Sequence, residues 1–252
     1  MCRLLGYLGP PTTLQALLYD PSHSLHEQSW APRDQRSGVV NADGVGVGWY
    51  DLDRRPEPAR YRSAKPMWAD QSLASLAGVV TSGAVLAVVR GATAPSPAEE
   101  SSTPPFTEGV WLFAHNGRVD GFRTGAGTRL RRGVSEQRDA GIVGTSDSEV
   151  LFALFLDRLD KGMAPAEALA SVVDAVDAEE GGSVTMIATD GHRLAAVTAG
   201  DSLAVLSTEG AVVVASEPYD DDSRWNPVPD ASLVEAVPGN VTYTGLDRKE
   251  RA

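Results

Sequence analysis

The feature that most constrains this chain is a change of hydrophobic period along it. Before residue 116 and after residue 182, apolar residues come in short unbroken runs; between 146 and 176 they recur at helical spacing. Cys2–Leu8, Val45–Tyr50, Ala84–Arg90 and Val110–His115 have strand length and little polar alternation, as expected of strands covered on both faces. Ser183–Thr189, Arg193–Thr198, Leu203–Ser207 and Ala211–Ala215 follow, separated by Asp190-Gly191-His192, Gly200-Asp201 and Glu209-Gly210. Such tight turn signals predict an antiparallel meander.

The helical stretch has its own punctuation. Ser146 and Glu149 stand at capping-box spacing, and Leu151, Leu154, Phe155 and Leu159 form one stripe. Pro165 suits a first helical turn, and Leu169, Val172, Val173 and Val176 continue the period. Shorter helices are expected at Thr12–Tyr19 and Trp68–Ala77. Strands, two adjacent helices, then strands again predict an α+β fold with helix-covered sheets, not a regular βαβ alternation. Gly91–Gly109 and Arg123–Gly144 are expected to be surface loops, and Asp247–Ala252 a frayed end. No long linker or internal repeat interrupts the 252 residues, so one domain over 1–252 is expected.

Charge and cysteine content narrow the function. The 34 acidic and 22 basic residues leave a formal charge of −12. Such a surface repels phosphate backbones and anionic lipid, which disfavours nucleic-acid or membrane-surface partners. One cysteine forms no intrachain disulfide, and with four histidines it is too little for a cysteine-rich zinc site. His23 and His26 have ligand-like spacing but no third ligand near them in sequence. No apolar run approaches the roughly 20 residues of a spanning helix. No signal-peptide pattern opens the chain, so a cytoplasmic location is expected.

The candidate chemistry begins at Cys2. An initiator methionine before a small residue is commonly trimmed, which would free the Cys2 α-amine. Reference pKa values of about 8.5 for a thiol and about 7.7–8.0 for an α-amine match the two groups for proton exchange near neutrality. One residue could then supply nucleophile and base. His115-Asn116-Gly117 ends an apolar run, and an Asn side chain with the next Gly amide can aim two donors at one oxyanion. Arg90 ends another run and could hold a carboxylate in bidentate fashion. Asp147 opens a helix and could pair with a substrate ammonium. Each alone has a plain structural alternative: a small strand residue, a turn, a strand-edge arginine, a partner for the helix dipole.

As an ordered set these residues are far more specific. Cys2-Arg3, Arg90-Gly91-Ala92-Thr93, His115-Asn116-Gly117, Ser146-Asp147-Ser148-Glu149 and Ala215-Ser216-Glu217-Pro218 resemble the class II glutamine amidotransferases, which are N-terminal-nucleophile hydrolases. Gln28-Ser29-Trp30-Ala31-Pro32-Arg33, Asn41-Ala42-Asp43-Gly44, Lys65-Pro66-Met67-Trp68 and Ser216–Asp222 resemble, more narrowly, the amidohydrolases of ergothioneine biosynthesis. Those enzymes remove the γ-glutamyl group from γ-glutamyl-hercynylcysteine S-oxide.

The resemblance implies a four-layer αββα sandwich and a C–N hydrolase that uses no metal or organic cofactor on a small γ-glutamyl substrate. It implies Cys2 as nucleophile with its freed amine as base, and Asn116 with Gly117 as oxyanion hole. Arg90 would take the glutamyl carboxylate, aided by Thr93, and Asp147 the ammonium, with His115 beside them. The leaving side carries a trimethylated cation, for which Trp68, Tyr219, Trp225 and the Asp220-Asp221-Asp222 run are candidates. Two other functions stay open on sequence: a glutaminase subunit handing ammonia to a separate synthase, and a catalytically silent γ-glutamyl-binding protein.

Overall fold

A computed structural model of the chain describes residues 1–92 and 99–247. Thr93 and residues 248–252, the latter holding nearly all of the expected frayed end, lie outside the described residues. Strand β1 spans Arg3–Thr13, β2 Val45–Trp49, β3 Ala59–Ser63, β4 Thr81–Val89, β5 Phe106–Glu108 and β6 Trp111–Val119. Helices α1 (Leu14–Leu18), α2 (Leu25–Gln28) and α3 (Gln71–Ala77) lie among these strands. Helices α4 (Ala126–Arg132), α5 (Glu136–Asp139), α6 (Asp147–Asp160) and α7 (Pro165–Ala178) follow. Then come β7 (Gly182–Thr189), β8 (Leu194–Thr198), β9 (Ala204–Ser207), β10 (Val212–Ala215), β11 (Asn226–Pro227), β12 (Ser232–Val237) and β13 (Asn240–Gly245).

The strands form two antiparallel sheets, ordered β11-β9-β10-β1-β4-β2-β3 and β13-β12-β8-β7-β6-β5. Side-chain alternation explains why the expected runs are apolar throughout. In β1, Leu4 faces the other sheet while Leu5 packs with Leu17, Leu18 and Leu73 of α1 and α3. In β6, Leu112 and Ala114 face between the sheets, and Phe113 packs on Phe155 and Val172 of α6 and α7. Both faces of both sheets are thereby covered, which is the αββα layering.

Several expectations need correction. The run from 183 to 215 is not one meander. β7 and β8 pair in one sheet and β9 and β10 in the other. The far edge of β8 is taken by β12, a strand the hydrophobic pattern did not reveal. The chain changes sheets at Ala199–Leu203, where Gly200 adopts φ +105° and the Asp201 carboxylate accepts from Ser183 Oγ at 2.6 Å. Arg123–Gly144 is no simple loop either, because it holds α4 and α5. Those helices are too short to show a period, and in α4 only Ala126, Gly127 and Leu130 are buried.

The ends of the central helices follow their sequence signals in part. Ser146 Oγ accepts from the Glu149 N–H, a cap of about 1 kcal/mol. The Glu149 carboxylate does not return to the Ser146 N–H as a full box would. It accepts from Gly144 N at 2.8 Å and from Ser146 Oγ at 3.1 Å, so it ties the incoming loop to α6. At the first short helix β1 runs on to Thr13, whose side chain caps α1. At the second, a 3-10 turn over Met67–Ala69 precedes α3, which Asp70 caps.

Candidate active site

Strand parity brings the sequence candidates to one end of the sandwich. Cys2 lies two residues before Leu4 and packs against the inter-sheet core. Arg90 follows Val88 at the end of β4, and Asn116 follows Ala114 in β6, so all three continue inward-facing rows. His115 has the opposite parity and turns to α6, where its Nδ1 lies 3.0 Å from Ser148 Oγ. Cys2, Arg90, His115, Gly117 and Asp147 line one cleft of about 350 Å³.

At the centre, the Cys2 backbone nitrogen donates to Asn116 Oδ1 at 2.6 Å. That bond fixes which end of the carboxamide is oxygen. Asn116 Nδ2 is buried and has no hydrogen-bond partner. A buried unpaired donor costs roughly 1–3 kcal/mol, so Nδ2 is free to donate to an acceptor that reaches it. Gly117 adopts φ +131°, and a Cβ there would stand 1.9 Å from the Ser183 carbonyl oxygen. Only glycine lets β6 pass β7 this closely while keeping that backbone direction.

The charged groups are held by backbone. Asp147 Oδ2 accepts from Val119 N at 3.0 Å and Oδ1 from Ser148 N at 2.8 Å. Arg90 is buried, and its Nη1 donates to the Asp43 carbonyl at 3.2 Å. The Asp43 carboxylate in turn accepts from Ala92 N at 2.7 Å, bracing the turn after β4. Burial lowers the His115 pKa below its ordinary value, against the opposing pull of Asp147. The Ser183 backbone also pulls the His115 pKa upward, against its burial.

The residues offered for the leaving side are elsewhere. Trp68 stands edge-on to Trp30 at 6.0 Å, and Tyr219 edge-on to Trp225 at 5.3 Å. Asp220 accepts from Trp225 Nε1 at 2.7 Å. None of Trp68, Tyr219, Trp225 and Asp220 lines the cleft. His23 is turned to Glu217, 2.9 Å from Nε2, while His26 lies between Tyr19, to which it is tilted, and Trp30, to which it is edge-on. Among the described residues no cluster of three or more His, Cys, Asp or Glu is arranged to hold a metal ion. None of their helices is long and apolar enough to cross a membrane.

Sequence reasoning missed the support behind Cys2. Arg3 is fully buried, and its Nε donates to the Cys2 carbonyl at 2.7 Å. Its Nη1 lies 3.5 Å from Glu217 Oε2, and burial lowers the Arg3 pKa against the pull of that carboxylate. Glu217 also accepts from the Arg33 and Asp34 N–H groups. The signal was present: an acid between Ser216 and Pro218, directly after an apolar strand, beside a motif that begins Cys2-Arg3. What the pattern lacked was any sign that the two charges meet.

Comparison with known proteins gives the family and the fold. Residues 1–209 match the family model described as glutamine amidotransferases class-II. The gamma-glutamyl-hercynylcysteine sulfoxide hydrolase of Mycobacterium tuberculosis (strain CDC 1551 / Oshkosh) is 43% identical over 248 residues, covering 98% of both chains. The protein of that name from Mycolicibacterium smegmatis is 40% identical over 247 residues, covering 98% of this chain and 100% of its own. A solved glutamine aminotransferase class-II domain protein from Silicibacter pomeroyi superposes with a TM-score of 0.72 at 24% identity. It covers 98% of this chain and 100% of its own, a likeness of fold.

Proposed function

The chain belongs to the class II glutamine amidotransferases, and on that premise we propose that it hydrolyses the γ-glutamyl amide bond of γ-glutamyl-hercynylcysteine S-oxide, releasing glutamate and hercynylcysteine S-oxide. The observation that carries this substrate is end-to-end similarity, above 40% identity over 98% of both chains, to a relative bearing that activity's name. We take residues 2–252, after loss of the initiator, as one catalytic domain working in the cytoplasm. A reducing compartment keeps the Cys2 thiol free for chemistry.

The reaction runs through Cys2. Arg90 takes the glutamyl α-carboxylate and Asp147 the α-ammonium, so two charges orient the γ-carbonyl over the sulfur. Thr93 lies outside the described residues and is kept as an aid to Arg90. His115, neutral through burial, holds Ser148 and with it the start of α6 that presents Asp147.

The freed α-amine of Cys2 accepts the thiol proton, and sulfur attacks the γ-carbon. The oxyanion receives hydrogen bonds from Asn116 Nδ2 and the Gly117 N–H. The amine then gives its proton to the leaving nitrogen, the C–N bond breaks, and a γ-glutamyl thioester remains. Water attacks that thioester while the amine takes its proton. The C–S bond breaks, the sulfur is reprotonated, and glutamate leaves.

Intact-protein mass spectrometry during turnover tests the scheme. A mature chain starting at Cys2 that gains a γ-glutamyl adduct from the conjugate supports it. Steady turnover by Cys2→Ala, or release of glutamate from glutamine but not from the conjugate, overturns it.

A further inference from the structure

Beside the Cys2 cleft lies a second cavity of about 230 Å³. The two share walls. Ser102 faces the cleft and Ser101 the cavity; Ser148 faces the cleft and Glu149 the cavity. The cavity therefore adjoins the cleft, within the span of a substrate longer than a glutamyl group.

The cavity floor is apolar, with Phe106 of β5 and Phe152 of α6 stacked at 6.3 Å. Arg60 and Arg62 of β3 reach over it. Two apart in a strand, they share a face. Their cross-strand partners Gly48 and Gly46 have no side chain, and a Cβ at either would strike Leu112 or Pro104, so that face is the inter-sheet one. Since β3 ends one sheet and β5 ends the other, the arginines span the open edge of the sandwich.

Their charges are poorly answered. Arg60 Nη1 donates to the Pro105 carbonyl at 3.0 Å, and Arg62 Nη1 to those of Ser101 and Thr103 at 3.3 and 3.4 Å. Among the described residues neither has a carboxylate within 4 Å, whereas Arg138 at the same cavity is held by both oxygens of Asp160. Burial and the neighbouring Arg62 bring the Arg60 pKa down to about 10, with Glu100 opposing from farther off. Two half-buried guanidiniums side by side suit an anion, and the planar fork suits a carboxylate.

We infer that this cavity is the subsite for the leaving half of the substrate, its carboxylate held by Arg60 and Arg62, its flat ring over Phe106 and Phe152, and its cationic end toward Glu149. The hercynyl group is a betaine, carrying a carboxylate, a trimethylammonium and an imidazole, and the cavity offers a counterpart to each. The inference rests on the substrate reading above. Glutamine has no group to place there, so such a subsite would favour the conjugate over glutamine.

Two measurements on the full chain test it. With Arg62→Gln, KM for the conjugate should rise about tenfold or more with kcat little changed, while kcat/KM for γ-glutamyl methylamide stays at the wild-type value. Arg62→Lys should recover part of the affinity. Equal losses on both substrates, or an unchanged KM for the conjugate, would overturn the subsite. Titration calorimetry of the conjugate into Cys2→Ala and Cys2→Ala/Arg62→Gln separates the two readings. Binding that weakens with Arg62→Gln supports the subsite even if the wild type fails to turn the conjugate over, which would sink only the substrate reading. Equal binding by the two proteins, or none by Cys2→Ala, would overturn the subsite.

Discussion

The nitrogen of Cys2 and the side-chain oxygen of Asn116 are 2.6 Å apart across 114 residues of sequence. One bond joins Cys2 to Asn116, the proposed oxyanion donor, and sets both orientations. With Oδ1 engaged, Nδ2 points away from Cys2 N, unpaired. Asn116→Asp keeps an acceptor for Cys2 N and removes the donor. We expect kcat on the γ-glutamyl conjugate to fall by about 10²–10³ with KM little changed. Steady-state kinetics check this; loss confined to KM would remove Asn116 from the transition state.

Glu217 and Arg3 form the buried pair behind the nucleophile. Glu217→Gln leaves the Arg3 charge without its counterion, a loss of about 3–5 kcal/mol for buried pairs. The urea midpoint should drop accordingly. Arg3→Met combined with Glu217→Gln should recover part of that loss, because the uncompensated charge is gone. A double variant less stable than Glu217→Gln alone would mean that the Arg3 bond to the Cys2 carbonyl outweighs the charge term.

Two glycines separate backbone strain from collision. Gly109 adopts φ +55° and a Cβ there meets nothing within 4 Å, so Gly109→Ala should cost only about 1 kcal/mol. Gly117→Ala adds a clash with the Ser183 carbonyl and should destabilise by well over that amount while abolishing turnover. Thermal melts of the two variants compare them; equal melting shifts would show that β6 can move aside.

His115 makes acid stability a test of its burial. Its folded-state pKa is lowered, so between that value and the reference of about 6.5 the unfolded chain binds more protons. Its contribution is therefore fully present above about 6.5 and declines as pH falls toward the folded pKa. Denaturation at pH 7.5 and 5.5 should show a steeper loss for the wild type than for His115→Asn. Parallel losses would show that the imidazole already takes up its proton in the folded protein.

How far local signals reached is plain at particular residues. Each apolar run that was expected to be a strand overlaps one, because burial on both faces leaves a continuous mark. The central helices show equally well, since Pro165 and the Ser146 cap punctuate a clear period. The split of β8 from β9 left no mark, since a strand's partner is chosen by sheet edges distant in sequence. β12 alternates, with Glu235 and Val237 facing out, and its run from Ser232 was too mixed to stand out.

The sequence by itself determined which chemical groups this protein possesses and in what order: a thiol at residue 2, a carboxamide followed by glycine, an arginine ending a strand and an acid opening a helix. Those are properties of residues and their nearest neighbours, so a linear pattern carries them. Only the tertiary structure decided that Glu217 answers Arg3, that Trp68 and Tyr219 stand away from the cleft, and that Arg60 and Arg62 lean over Phe106. Those relations depend on which strand lies beside which and on what the packing of two sheets leaves open at their edges. Such distances arise only when remote segments exclude water together, and no short window of sequence records them.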